Sequence, residues 1–288
     1  LEISPAAAST YSKLLPVVFR IDCLLSLCLG NSVEPRKTLG VPERPKEGVA
    51  PELQPILNQV EILHPGTPSG AIGKPRHPMD QLVPWVKMQP RLERAFSAHF
   101  AAFDKLAPAY QMYFATLRRS GLYLEHSFLS IMMAIETFDR CRRGGKYVDD
   151  GQWNVLRPLI EAHIPAGTDN GLRESLTTRL KYANEYTLRQ RLRCLAKEWA
   201  GLFDHLGIDT ARWANLVVNT RNDLVHESRV RPDTLDVVGG LYGLVQTLRA
   251  LVEGMLMTEM GFSLDEATNL LRESSRFTHL RGIWKAQT

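Results

Sequence analysis

The chain has no run approaching the ~18–20 apolar residues that span a bilayer. Its nearest candidate, Leu14–Leu29, is interrupted by Arg20 and Asp22 and reads as a buried amphipathic helix, so no membrane partner is expected. Cysteine is scarce. Cys23, Cys28, Cys141 and Cys194 are the four in 288 residues, which does not make a disulfide framework. Cys23 and Cys28 have no companion Cys or His pair at zinc-ligand spacing, so core thiols in a reducing, cytoplasmic setting are expected. His99, His126, His163 and His205 show no His-x-x-x-His or carboxylate grouping; neither a metal nor another cofactor is expected. The chain opens on Leu1 rather than Met without a signal-peptide pattern, and the expectation is a fragment whose upstream part is missing.

What is present is an ordinary globular composition, 44% hydrophobic and 23% charged, long enough for a substantial core. Of the 17 prolines, 11 fall between Pro35 and Pro90, a density that excludes long helices and central strands. Residues 1–90 read as an N-terminal segment, mostly irregular and proline-rich, with a short strand at Gln59–Leu63. From Leu92 onward the text is repeatedly helical. Helices are predicted at Leu92–Arg118, Leu122–Arg142, Trp153–Ala162, Leu188–Gly207, Thr210 to about Arg229 and Leu235–Met257. In the second, Phe128, Ile131, Met132, Ile135 and Phe138 give the i, i+3, i+4, i+7 stripe. Pro232 stops the motif helix, and Ser263 with Glu266 forms a capping box that opens a last helix to about Arg272. The fold class is all-α, with residues 91–288 forming a helical bundle.

Net charge is +4. From Arg173 to Arg231 there are 11 Lys+Arg against 7 Asp+Glu, an excess equal to that of the whole chain. Basicity therefore concentrates around Arg221-Asn222-Asp223-Leu224-Val225-His226, which suits a phosphate-bearing partner or a solvated face.

On an ideal helix with Trp213 at zero, Leu216, Val217, Thr220 and Leu224 fall within about 60° and form the packing face. Asn222 and His226 fall near 180° and about 220°, facing away from the core, and Arg221 lies at about 80°. Arg221 and His226 are then roughly 140° apart and do not converge on one straight helix. Packing the motif helix on a two-fold mate would bring two arginines and two histidines into one cleft. Such groups suit RNA strand cleavage without a metal. The ribose 2′-hydroxyl attacks its own phosphate, an imidazole moves the proton, and a guanidinium binds the charge building on the phosphorane oxygens. The need for a 2′-hydroxyl points to RNA over DNA.

Arg-Asn-x-x-x-His late in an all-α bundle resembles the signature of HEPN-domain proteins. Thr220-Arg221-Asn222-Asp223-Leu224-Val225-His226, the helix opening Leu188-Arg189-Gln190-Arg191-Leu192, and Phe128-Leu129-Ser130-Ile131-Met132-Met133-Ala134-Ile135-Glu136 resemble the ApeA-like branch, from about Leu92 to the C-terminus. The resemblance implies a metal-independent endoribonuclease of the toxin or anti-phage type, leaving a 2′,3′-cyclic phosphate. It implies a homodimer through the motif helix, and an antitoxin or sensor domain as a further partner. Arg221 and His226 are then catalytic, and Asn222 supports them. Residues 1–90 are expected to correspond to the end of a larger upstream domain. The alternative is a non-catalytic module of the same fold that binds nucleotide, RNA or a protein partner.

Glu136 lies on an apolar helix, where a carboxylate needs a partner; by resemblance it accepts from Arg221 or His226 and supports the site. Arg189, Arg193 and Lys197 recur at i, i+4, i+8 and either track an RNA backbone or form a solvated face. Tyr182 and Tyr186 read as core-packing aromatics. Gly239, Gly240 and Gly243 are expected to allow close helix packing and not a phosphate loop, since no strand precedes them.

Overall fold

The computed structural model describes residues 10–33, 38–40, 48, 50, 52, 60–62, 77, 80–118, 121–227 and 240–285. The chain divides into two compact units, Leu1–Phe100 and Ala101–Thr288. Most of the proline-rich stretch, the end of the motif helix at Arg229, the Pro232 stop, the Leu235 helix start and Gly239 lie outside the described residues.

In the first unit α1 (Tyr11–Leu29) buries Ile21, Cys23, Leu24 and Leu27 on one side, as the Leu14–Leu29 pattern predicts. Gly30 ends it in the left-handed region (φ 62°), where its N–H reaches back to Leu27. Burial pushes the Cys28 thiol up to about 12, so it stays protonated at neutral pH, and Cys23 is fully buried. β1 (Thr38–Gly40) pairs antiparallel with β2 (Val60–Ile62) in register Leu39↔Glu61; the strand expected at Gln59–Leu63 is therefore present. A single turn, α2 (Trp85–Met88), leads to α3 (Leu92–Arg118). His99 on α3 is fully buried and its Nε2 donates to the Arg20 carbonyl at 2.9 Å. Burial lowers His99 to about 4, so the ring is neutral at pH 7.

In the second unit α4 (Leu124–Arg143) lies along α10 (Gly240–Glu259), the most buried helix of the chain. The stripe Phe128, Ile131, Met132, Ile135 and Phe138 is buried as expected. α7 (Leu188–Glu198) packs on α9 (Thr210–Asn222), while α11 (Leu264–Glu273) and α12 (Ser275–Lys285) close on α10. The Ser263–Glu266 capping box has both hydrogen bonds, at 3.1 and 2.8 Å.

The helix read as Leu188–Gly207 is two. Trp199 leaves the helical region (ψ 28°) and α8 (Ala200–Leu206) starts anew. A one-residue break preserves the leucine spacing, so periodicity does not register it. The buried Trp199 ring lies against Gly254 of α10, where an added Cβ would come within 2.5 Å of two ring carbons. A close helix approach is thus made at Gly254.

Inside the bundle Glu253 is fully buried and accepts from Tyr113 Oη (2.6 Å), Arg249 Nε (3.0 Å) and Arg276. Burial alone would raise this carboxyl, but the Arg276 and Arg249 guanidiniums hold it below the usual carboxylate range. Between α4 and α7 a hairpin of α5 (Asp150–Ala162) and α6 (Asn170–Leu180) has no buried residue. Asp149 and Asp169 cap the two helices.

Candidate functional site

The site is assembled on α4, α7 and α9, and a buried ion pair joins the first two. Arg191 on α7 is 1% exposed. Its guanidinium donates to Asp139 Oδ2 on α4 (2.8 Å), to the Gly144 carbonyl (2.8 Å) and to the Tyr186 carbonyl (3.1 Å). Three charge-assisted bonds in a dry interior set how the first turn of α7 meets the last turns of α4. Gly145 beside them has φ 70°, and a Cβ there would lie 2.7 Å from the Tyr186 ring and 3.1 Å from Arg191 Nη1. Sequence reading passed over Arg191 because it sits among the Arg189, Arg193 and Lys197 cations; only its place beside Leu192 and Leu195 on the apolar face marks it.

α9 begins at Asp209, whose carboxylate accepts from the Arg212 N–H at 2.6 Å. Trp213, Ala214, Val217 and Thr220 are buried, whereas Leu216 is half-buried. The α-helix ends at Asn222, and Asp223–Glu227 wind as a π turn. Such i→i+5 winding advances roughly 80–85° per residue in place of 100°. Asp223 is fully buried, Leu224 only half-buried and Val225 47% exposed, so Leu224 is not the packing residue that a straight helix makes it. Over four steps the slower winding draws His226 back by about 70°, from about 220° to about 150°. Ideal π winding would bring His226 between Arg221 and Asn222 on the helix circumference; its side chain is exposed. On that ideal winding the roughly 140° separation of a straight α-helix would be cut to about half.

A cavity of about 350 Å³ opens beside the turn, lined by Glu136 of α4, Thr187, Leu188 and Arg189 at the start of α7, and Val218, Arg221 and Asn222 of α9. Arg221 is half-buried, and its Nη1 donates to Asn222 Oδ1 at 3.2 Å. The bond fixes the amide and leaves its NH₂ to donate elsewhere. Four of the residues singled out from the sequence, Glu136, Arg189, Arg221 and Asn222, thus meet around one space. His226, Arg193 and Lys197 are outside its lining.

Glu136 was expected to accept from Arg221 or His226. Its Oε1 instead accepts from Arg140 Nη2 at 3.0 Å, one turn along α4, and Arg140 Nη1 also holds Glu185 at 2.8 Å. Arg189, Arg193 and Lys197 are all exposed on α7. The two arginines lean onto the motif helix, Arg189 Nη2 donating to Asn219 Oδ1 (3.5 Å) and Arg193 Nη2 to Asn215 Oδ1 (3.3 Å). Asn215, Asn219 and Asn222 form an amide row on α9 that sequence reading did not single out; their i, i+4, i+7 spacing was the available signal. Tyr182 is 64% exposed, against the core position expected, while Tyr186 packs edge-on against Tyr147 with ring centroids 5.0 Å apart.

Among the described residues, no group of three or more His, Cys, Asp and Glu is placed to hold a metal ion, and no helix is long and apolar enough to cross a membrane. No curated protein and no solved structure matches the chain. Residues 129–266, which hold most of α4 together with α7, α9 and the π turn, match the family model of the Apea-like HEPN domain.

Proposed function

We propose that this protein is a metal-independent endoribonuclease, in which Arg221 and His226 carry the chemistry and Asn222 supports them. HEPN domains are often ribonucleases. The observation that supports the reading is the cavity in which Arg221 and Asn222 meet a second cation, Arg189, with the exposed His226 on the π turn that follows them. In the reaction an imidazole takes the 2′-hydroxyl proton. The 2′-oxygen then bonds to phosphorus as the P–O5′ bond breaks, and the departing oxygen takes a proton. The products are a 2′,3′-cyclic phosphate and a 5′-hydroxyl. Arg221 donates to the phosphorane oxygens as their charge builds, and the Asn222 NH₂ donates to ribose or phosphate.

The step needs a base and an acid together. One copy of the motif helix supplies one imidazole, so a homodimer through this helix completes the site. Glu136, in the same cavity lining, belongs to the site as a binding residue. Arg189, Arg193 and Lys197, with the Asn215–Asn219 amides, form a track for the RNA backbone. An activity of this kind suits a cytoplasmic toxin or anti-phage effector held in check by an antitoxin or sensor domain.

The test is incubation of the full chain with a mixed RNA pool in EDTA. Cleavage is expected, and its loss in both Arg221→Ala and His226→Ala. Cleavage that persists undiminished in both variants overturns the assignment; RNA binding without cleavage by the wild type favours the non-catalytic module.

A further inference from the structure

Phosphate binding accounts for Arg189, Arg221 and Asn222 in the cavity, but it leaves Glu136 unexplained. A carboxylate there repels a phosphate, and its ion pair is made with Arg140, outside the cavity lining. We propose that the cavity receives a guanine base and that Glu136 is the specificity-determining residue that reads it. The proposal rests on the ribonuclease reading for its substrate, RNA.

A carboxylate offers only acceptors, on two adjacent oxygens. Guanine presents two adjacent donors, N1–H and N2–H₂, on its Watson–Crick edge. Adenine and cytosine each place an amino donor next to a bare ring nitrogen that repels a carboxylate. Uracil places its single N–H between two carbonyls. Guanine alone satisfies both oxygens without opposing either. Single-stranded RNA exposes this edge, whereas pairing hides it.

The cavity suits such a guest in three further respects. About 350 Å³ is enough for a base with part of its ribose phosphate. Leu188 and Val218 offer apolar surface to the base faces. Arg140 splits its guanidinium between Glu136 at 3.0 Å and Glu185 at 2.8 Å, so Glu136 is held in place while keeping lone pairs to accept more. With two cations and one anion, the lining retains a net positive charge for the attached phosphate.

Binding separates this proposal from cleavage. Affinities of the full chain are measured by calorimetry for the four 5′-mononucleotides, and for uncleavable 2′-O-methyl hexamers that differ at one base. Guanine is expected to bind tighter than the other bases by about 5- to 100-fold, the range that one bidentate base contact supplies. Glu136→Gln, which places an amide NH₂ against guanine's donors, is expected to collapse that preference. Glu136→Asp, which keeps the charge but shortens its reach, is expected to reduce it, and both variants should melt near the wild-type temperature. Equal affinity for all four bases, or a preference that survives in Glu136→Gln, overturns the proposal. A preference confined to free mononucleotides overturns the RNA form of it and assigns the cavity to a guanine nucleotide. If the hexamers show the guanine preference and no RNA is cut, the ribonuclease reading fails and this one stands.

Discussion

Replacing Asp139 removes the counter-ion of a guanidinium that has no access to water. Arg191 is 1% and Asp139 2% exposed, 2.8 Å apart, so solvent screening does not soften the loss. The nearest other anion, Glu185, is 3.9 Å from Arg191 and 31% exposed; it compensates only in part. Breaking one side of such a pair costs about 3–5 kcal/mol. Asp139→Asn, which keeps an acceptor, belongs at the lower end and Asp139→Ala at the upper. For a unit the size of Ala101–Thr288 this corresponds to a melting temperature lower by about 6–20 °C. The double variant Asp139→Leu with Arg191→Met removes both charges but leaves the Gly144 and Tyr186 carbonyls without their donor, at about 1–3 kcal/mol each. It should therefore recover only part of the loss. A thermodynamic cycle by urea unfolding should return a coupling of at least about 2 kcal/mol. A loss below about 1 kcal/mol in Asp139→Asn, or strict additivity of the single variants, would refute the claim that this pair holds α4 to α7.

Gly254→Ala should lower stability even though alanine favours helix by about 1 kcal/mol. Its Cβ would sit 2.5 Å from the buried Trp199 ring, and overpacking of this kind costs about 1–3 kcal/mol; a raised melting temperature would contradict the packing. His99 titrates at about 4 in the fold and at about 6.5 when unfolded. Below pH 6.5 the unfolded chain takes up a proton that the folded one refuses. Stability in the first unit is thus complete above pH 6.5 and falls by about 3 kcal/mol as the pH drops to 4. Hydrogen exchange along Tyr11–Leu29 at a series of pH values should show this slope in the wild type; the same slope in His99→Gln would rule out His99 as its source.

The bundle was legible where a helix buries one face. Phe128, Ile131, Met132, Ile135 and Phe138 announce α4, and Ser263 with Glu266 announces α11. α6 went unread because no residue of it is buried; Leu172 and Leu176 leave no core-facing stripe to detect. The members of the site were legible from residue type and resemblance, since Glu136, Arg189, Arg221 and Asn222 line one cavity. Their geometry was not. Angles at 100° per residue presuppose an α-helix, and nothing in Asp223-Leu224-Val225-His226-Glu227 signals a change to π winding. Asp223 is buried and Leu224 only half-buried, the reverse of what periodicity gives.

The central claim is that this chain cuts RNA by attack of the 2′-hydroxyl. The most direct measurement supplies matched pools of RNA and fully 2′-O-methylated RNA to the wild-type chain in EDTA and reads the product ends by mass spectrometry. The account predicts 2′,3′-cyclic phosphate and 5′-hydroxyl ends from the first pool and an intact second pool. Cleavage of the methylated pool, or products bearing 5′-phosphates, would contradict it.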